Sequence, residues 1–367
     1  MAKVTFNNSN NEFYQNLKTS VDDYFTSKGL KKTGNWQLYS KAIILFTVSI
    51  GLYVCLLTLS MPVWLSLLCC AVLGMSLACI GFNVMHDACH GSFSSNDKTN
   101  EVVGMSLNAL GAISYFWKQK HNIIHHTYTN IDGVDDDIAK SPIIRQCDSQ
   151  KWVPAHKVQH LYLPLVYGIT SLAWLFIMDF TKYFKRDISG TSAWKMSNWN
   201  KFVFWATKVY YIAVFVAFPI YMVGFLPWLT GFLVMHVTMG FWLAIVFQLA
   251  HVVENTEFEY VPLDGNKQFE TAWAEHQLKT TSNFAMKNRV INWMVGGLNF
   301  QVEHHLFPKI SHIHYPAISK IVQQKCKEFN MPYNYYDTMS AAIASHFRFM
   351  KYLGKKPAIA NQQLQAA

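Results

Sequence analysis

Polar and hydrophobic positions are segregated along this chain to an unusual degree. No Asp, Glu, Lys or Arg stands between Lys41 and Asp87, or between Lys208 and Glu254, so two stretches each run 45 residues without a formal charge. One helical crossing of a bilayer takes ~20 apolar residues, so each stretch predicts two. Near each midpoint is a helix-breaking cluster, Ser60-Met61-Pro62 in the first and Gly224-Phe225-Leu226-Pro227 in the second. Two helical hairpins follow, over residues 42–86 and 209–253. The polar remainder divides into an N-terminal segment (1–41), with one amphipathic helix near Glu12–Phe25, an insertion (87–208) and a C-terminal region (254–367). The expected fold is an all-α integral membrane protein. Four transmembrane helices, paired as two hairpins, stand under a helical cap built from the insertion and the C-terminal region.

Two further apolar segments bear on this count. Val102–Trp117 is charge-free for 16 residues, short for a crossing, whereas Val158–Met178 has 21 and is long enough. Parity decides the second. One extra crossing would leave Lys182, Lys185 and Arg186 on the far side and divide the histidine motifs described below between the two faces. Both segments are therefore expected to lie in the interface or to dip in and return.

Charge sets the orientation. The hairpin turns carry none, so every Lys and Arg lies on the opposite side, which the positive-inside rule makes the cytoplasm. Trp64 and Trp228, just past the turns, fit interfacial anchors. The net charge of +9 then faces anionic headgroups; no aromatic-interleaved basic motif supports a nucleic-acid partner. Seven cysteines without CxxC spacing read as buried thiols rather than a disulfide framework. The polar start, MAKVTFNNSNNEF, lacks the apolar run of a signal peptide, so the first hairpin is expected to direct insertion.

The chemistry lies in histidine. His86 and His90 stand four apart in HDACH; His121, His125 and His126 lie in HNIIHH; Gln301, His304 and His305 lie in QVEHH. Residues three and four apart share a helix face, and imidazole is the commonest transition-metal ligand at neutral pH. His251, in QLAHVVEN, ends the fourth span at the depth of His86 and offers a ligand from the other hairpin. Eight histidines exceed one closed four-ligand site, so two ions are expected, although imidazole suits zinc, copper, iron or nickel alike. Asp87, Glu254, Glu303 and the acidic run Asp132–Asp137 are candidate partners for the imidazoles. His236, deep in the fourth span, reads as structural, and His276 is an isolated candidate.

These motifs resemble those of the integral-membrane fatty acid desaturases. HDACH is similar to the first histidine box of that family, HNIIHH to the second and QVEHH to the third. The glutamine within GGLNFQVEHHLFP and the stretch HTYTNIDGVDDD resemble the front-end subgroup, which acts between an existing double bond and the carboxyl end. The likeness covers roughly residues 40–330. It implies two iron ions held by His86, His90, His121, His125, His126, His304 and His305, with His251 as a further ligand. Gln301 would bind iron, bind it through water, or only shape the site. The implied reaction uses dioxygen and two electrons to place a double bond in a fatty acyl chain carried on coenzyme A or a lipid. Many front-end members carry a fused haem domain with a His-Pro-Gly-Gly motif, which this sequence lacks. A separate donor is therefore expected, such as a b-type cytochrome or a ferredoxin with its reductase.

A narrow apolar tunnel near Trp117, Trp273 and Gly296-Gly297 would position the chain, with Lys118, Lys120, Arg145, Lys151 and Lys157 as a basic rim. The competing readings are a hydroxylase on the same scaffold, a membrane metal transporter, and a receptor with structural zinc. A transporter would carry ionisable groups through its spans, whereas these clusters gather at one face. Residues 355–367 carry no retrieval motif, leaving bacterial inner membrane and endoplasmic reticulum equally open.

Overall fold

The computed structural model describes residues 3–357 apart from 8, 10, 139–141, 189–195 and 262–265. Six helices organise it. α1 (Glu12–Ser27) is amphipathic and buries Phe13, Leu17, Val21 and Phe25. Five more, α2 (Trp36–Thr58), α3 (Val63–Cys89), α4 (Pro154–Lys185), α5 (Asn198–Val223) and α6 (Phe225–His251), are long and apolar enough to cross a membrane. The protein is an integral membrane protein on that evidence.

Both turns fall where the breakers stand. α2 ends at Thr58 and α3 starts at Val63 behind Pro62. α5 ends at Val223, and Gly224, at φ 84°, turns the chain into α6; only glycine takes that backbone without strain. Small residues then bring the helices together. A Cβ on Gly74 of α3 would strike the Met235 carbonyl of α6, and one on Gly240 would lie 2.6 Å from the Gly168 carbonyl of α4. Trp64 is exposed. Trp228, expected as an anchor, instead turns inward and donates its indole N–H to the Phe215 carbonyl at 2.8 Å.

Helix ends run beyond the charge-free windows because the flanking charges are partnered inside the protein. α2 begins before Lys41, capped by Asn35, which accepts from the Gln37 amide at 2.8 Å. α5 begins ten residues before Lys208, whose ammonium is buried against Asp179 (2.8 Å) and the carbonyls of Gly111 (2.8 Å) and Leu175 (2.9 Å). The segment Val102–Trp117 is broken into short helices, but Val158–Met178 is the middle of the 32-residue α4. Both ends of α4 meet polar segments outside the apolar helices. At one, the Gln159 amide donates to the carbonyls of Met350 and Arg145; at the other, Lys182 pairs with Asp136 at 2.9 Å.

The fold departs from the all-α expectation in one respect. Among the described residues, three short parallel strand pairs tie distant segments together: Lys3–Phe6 with Asn266–Phe269, Ile131–Asp132 with Glu259–Tyr260, and Asn283–Phe284 with Tyr335–Tyr336. α1 covers the segment around the third histidine motif, sharing an apolar core with Phe300, Leu306 and Ile318.

Candidate metal centre and acyl cavity

Local backbone geometry assembles the histidines. α3 widens into a π-turn over Gly81–Met85 and returns to α-helix at His86. The second motif lies in another π-segment, Gln119–His125, where i→i+5 bonding lets positions i, i+4 and i+5 look the same way. An α-helix would have turned His126 aside. The third motif opens the short helix Gln301–Leu306. Gly296 and Gly297, at φ 61° and 69°, press the preceding loop onto α3, since a Cβ on Gly296 would strike the Phe82 carbonyl.

All eight imidazoles meet. His86, His90, His121 and His304 each offer a ring nitrogen within 4.8 Å of the others, and His125, His251 and His305 form a second such group. His126 lies between them, its ring 4.5 Å from that of His304 and 4.4 Å from that of His305. All eight are buried. The Nε2 atoms of His86, His90, His125, His251, His304 and His305 have no hydrogen-bond partner among the described residues. A buried polar atom left unsatisfied costs about 1–3 kcal/mol; six in one place call for a cation. Nitrogens on opposite sides of an ion bound at ~2.1 Å stand about 4.2 Å apart, close to the spread seen here. Burial, reinforced by neighbouring imidazoles, holds His121, His126, His304 and His305 far below the ordinary histidine pKa. They are neutral, the form that binds metal. The donor set fits two transition-metal ions.

The opposite ring edges fix these tautomers. The Nδ1–H of His125 donates to Asp135 at 3.0 Å, with Asp137 at 3.2 Å. Those of His305, His251 and His304 donate to Gln277 Oε1 (2.8 Å), the Thr280 carbonyl (3.3 Å) and the Tyr315 hydroxyl (3.1 Å). Of the carboxylates expected to serve here, the run 132–137 does so. Asp137 also brings an oxygen within 4.8 Å of His121 and His125 donor atoms; against burial, Lys120 at 2.6 Å and His125 hold its pKa low. Asp87 binds Ser311 (2.6 Å) and His312 (3.0 Å) instead, and Glu254 pairs with Arg348. Glu303 accepts from Tyr333 and Asn283 at 2.7 and 2.8 Å, and burial pushes its carboxyl up to about 7. Tyr315, Gln277 and Thr280 carried no sequence signal, being lone residues far from the motifs.

Other candidates have plainer places. Gln301 is fully buried with its Nε2 unpartnered. His276 donates to the Thr129 carbonyl at 2.8 Å, and His236 bonds Ser171 and Tyr211; both are structural. Trp273 donates to the His126 carbonyl at 3.1 Å. Arg145 is buried among the carbonyls of Gln150, Leu353 and Asp148 and forms no rim.

A cavity of about 250 Å³ reaches His121 and His251. The α4 face Val166–Thr170–Trp174–Met178–Lys182 roofs it, α6 contributes Leu243 and Phe247, and Lys120, Asp136 and Asp137 line a polar end. A smaller apolar cavity beside His86 shares Trp117, Trp174, Leu243 and Phe247 with it. Trp117 stacks on His121 at 4.3 Å.

Paired imidazole groups beside an apolar slot, at the end of membrane-embedded helices, define a metalloprotein that acts on apolar chains. The sequence comparisons agree. Residues 62–337 match the family model described as Fatty acid desaturase, and the chain belongs to that family. It is 35% identical to the sn-1 linoleoyl-lipid 6-desaturase of Arthrospira platensis, over 97% of this chain and 96% of that protein. Identity is 36% with the enzyme of the same name from Synechocystis sp., over 94% and 96%. It is 33% with the acyl-lipid (8-3)-desaturase of Physcomitrium patens, over 94% and 72%. The protein is a fatty acyl desaturase, an oxygen-dependent oxidoreductase of lipid metabolism.

Proposed function

We propose that this desaturase inserts a double bond on the carboxyl side of an existing one, in an acyl chain esterified to a membrane lipid. The near end-to-end likeness to two sn-1 linoleoyl-lipid 6-desaturases supports that substrate and bond position. α2, α3, α5 and α6 are the four spans, with active site, termini and cap on the cytoplasmic side. α4 dips into the bilayer and returns, because its middle packs on α6 at Gly240 while both of its ends are bound to the cap.

The observation that carries the reading is the set of six unpartnered Nε2 atoms in two groups. His86, His90, His121 and His304 would hold one iron and His125, His251 and His305 the other, with His126 between them and Gln301 shaping the site. Bound iron supplies the oxygen activation needed to remove hydrogen from unactivated methylenes. The chain's own residues do the rest. Asp135, Gln277, Thr280 and Tyr315 orient the imidazoles. Trp117, Trp174, Leu243 and Phe247 hold the acyl chain against the histidines and exclude water. Lys120 and Lys182, each paired with an aspartate, face the polar ester end. Electrons come from a separate b-type cytochrome or ferredoxin.

The test is expression in a host lacking polyunsaturated lipids, fed linoleate, with lipid class and bond positions read by mass spectrometry. A new alkene between the carboxyl end and the existing double bond is expected in the esterified pool. An oxygenated product would establish a hydroxylase, and a new bond on the methyl side would refute the front-end assignment.

A further inference from the structure

The end of the helix bundle where the hairpins turn, remote from the histidines, holds a cavity of about 690 Å³. Four helices wall it, among them Leu56 of α2, Leu67 of α3, Pro219 of α5 and Phe232 of α6. Leu73 and Met235 stand at its deepest point, farthest from the turns. It shares no lining residue with the apolar slot beside His121 or with the smaller cavity beside His86.

The polar groups of its walls are already engaged. α5 is interrupted here by a π-turn over Ala213–Ala217 and by Pro219. A proline has no N–H to give, so Pro219 can serve neither the Phe215 carbonyl, four residues back, nor the Val214 carbonyl, five back. A bare carbonyl in hydrocarbon is costly, and neighbouring helices usually satisfy it. The Trp228 indole of α6 donates to Phe215 at 2.8 Å, and the Tyr53 hydroxyl of α2 donates to Val214. Thr230 spends its hydroxyl on the Pro227 carbonyl at 3.0 Å. Among the described residues that line the cavity none carries a formal charge. Water in such a space needs several polar partners, and these three are taken.

We propose that this cavity binds one acyl chain of a membrane lipid from the leaflet opposite the active site. This rests on the four-span reading above, which puts the turns at Pro62 and Gly224 in that leaflet. Leu59, Val63 and Leu226 line the cavity and are each more than half exposed, so it opens toward the bilayer. From Val63 to Leu73 α3 rises ~15 Å, half of the ~30 Å hydrocarbon core. The cavity is therefore as deep as one acyl layer. Its uncharged walls offer nothing to a headgroup, which stays at the surface. Lipid tails are as apolar as these side chains, so packing decides occupancy. A seated chain touches both hairpins and restores the contacts that a void forfeits, joining α2 and α3 to α5 and α6 at the end opposite the imidazoles.

Delipidated protein is reconstituted in dioleoylphosphatidylglycerol vesicles containing a phospholipid with a photoreactive group at the methyl end of one palmitoyl chain. Ser66→Phe and Leu67→Trp fill the cavity, whereas Leu68→Trp, on the exposed face of α3, does not. Labels on Leu73, Phe232 or Met235 are expected in wild type and Leu68→Trp, with loss of labelling in both filled variants. In detergent, the same lipid should raise the Tm of wild type with increasing concentration and leave the filled variants unmoved. Wild-type labels confined to Trp174 or Leu243 overturn the lipid site and leave the apolar slot standing. Alkylation of Cys70, on the cavity wall, by a charged maleimide would show water there and overturn it as well. So would a Tm rise in both filled variants as steep as in wild type. If neither filled variant accumulates, the wild-type labels decide. The span reading is checked separately by Ser60→Cys, which should react with an impermeant maleimide added outside intact cells. Cavity labels without that reaction overturn the leaflet named here, and the reaction without cavity labels overturns the lipid site alone.

Discussion

The two imidazole groups sit side by side but are secured by different means. Around His125, His251 and His305 each Nδ1 faces an oxygen, that of Asp135, the Thr280 carbonyl or Gln277. Around His86, His90, His121 and His304 the hold is mainly steric. Trp117 stacks on His121 and meets His86 and His90 edge-on at 5.5 and 5.6 Å, while Gly296 lets the loop bear on the π-turn before His86. Its polar anchors are Tyr315, through His304, and Asp137, 4.0 Å from His121 Nδ1. A carboxylate behind an imidazole fixes its tautomer and raises its basicity, whereas packing fixes only position. On the proposed function, the His125 group would grip an ion and the His86 group would place one beside the substrate.

Substitutions on each side break or sharpen this contrast. The largest effect belongs to a ligand. His125→Ala should bring product below detection and remove one metal per chain while membrane insertion persists; lipid analysis and elemental analysis of purified protein check both. Next comes Gly296→Ala. Its methyl would push the Phe82 backbone and the π-turn by roughly the 1 Å that costs about 100-fold in rate, and single-turnover kinetics should show that loss with the His125 group still loaded. Asp135→Asn should weaken metal at the His125–His251–His305 group alone, within the roughly 10- to 100-fold range for such partners, read by chelator competition. Tyr315→Phe removes one hydrogen bond, worth about 1 kcal/mol. Its effect should be several-fold, on the four-histidine group only. Equal responses of both groups to Asp135→Asn and Tyr315→Phe would dissolve the distinction.

Much of this was legible in the sequence because charge in a bilayer is costly. The turns at Pro62 and Gly224 and the α1 start at Glu12 are where polarity and breakers put them. The histidine spacing announced the site. Less legible were features that depend on partners distant in sequence. The π-segment at Gln119–His125 has no local signature, since its i→i+5 bonds arise in the folded context. The early start of α5 required knowing that Asp179 neutralises Lys208. Two-residue strands such as Ile131–Asp132 are too short to show alternation. The rim at Arg145 failed because a cation can be spent on buried carbonyls as readily as on a ligand.

The most direct measurement is metal content by elemental analysis, on wild type and on His251→Ala purified from membranes after growth with ample iron. Two irons per chain in the wild type and one in the variant are the expected values. Iron-free wild type that still desaturates, or a variant that keeps both ions, would contradict a centre divided between these two sets of imidazoles.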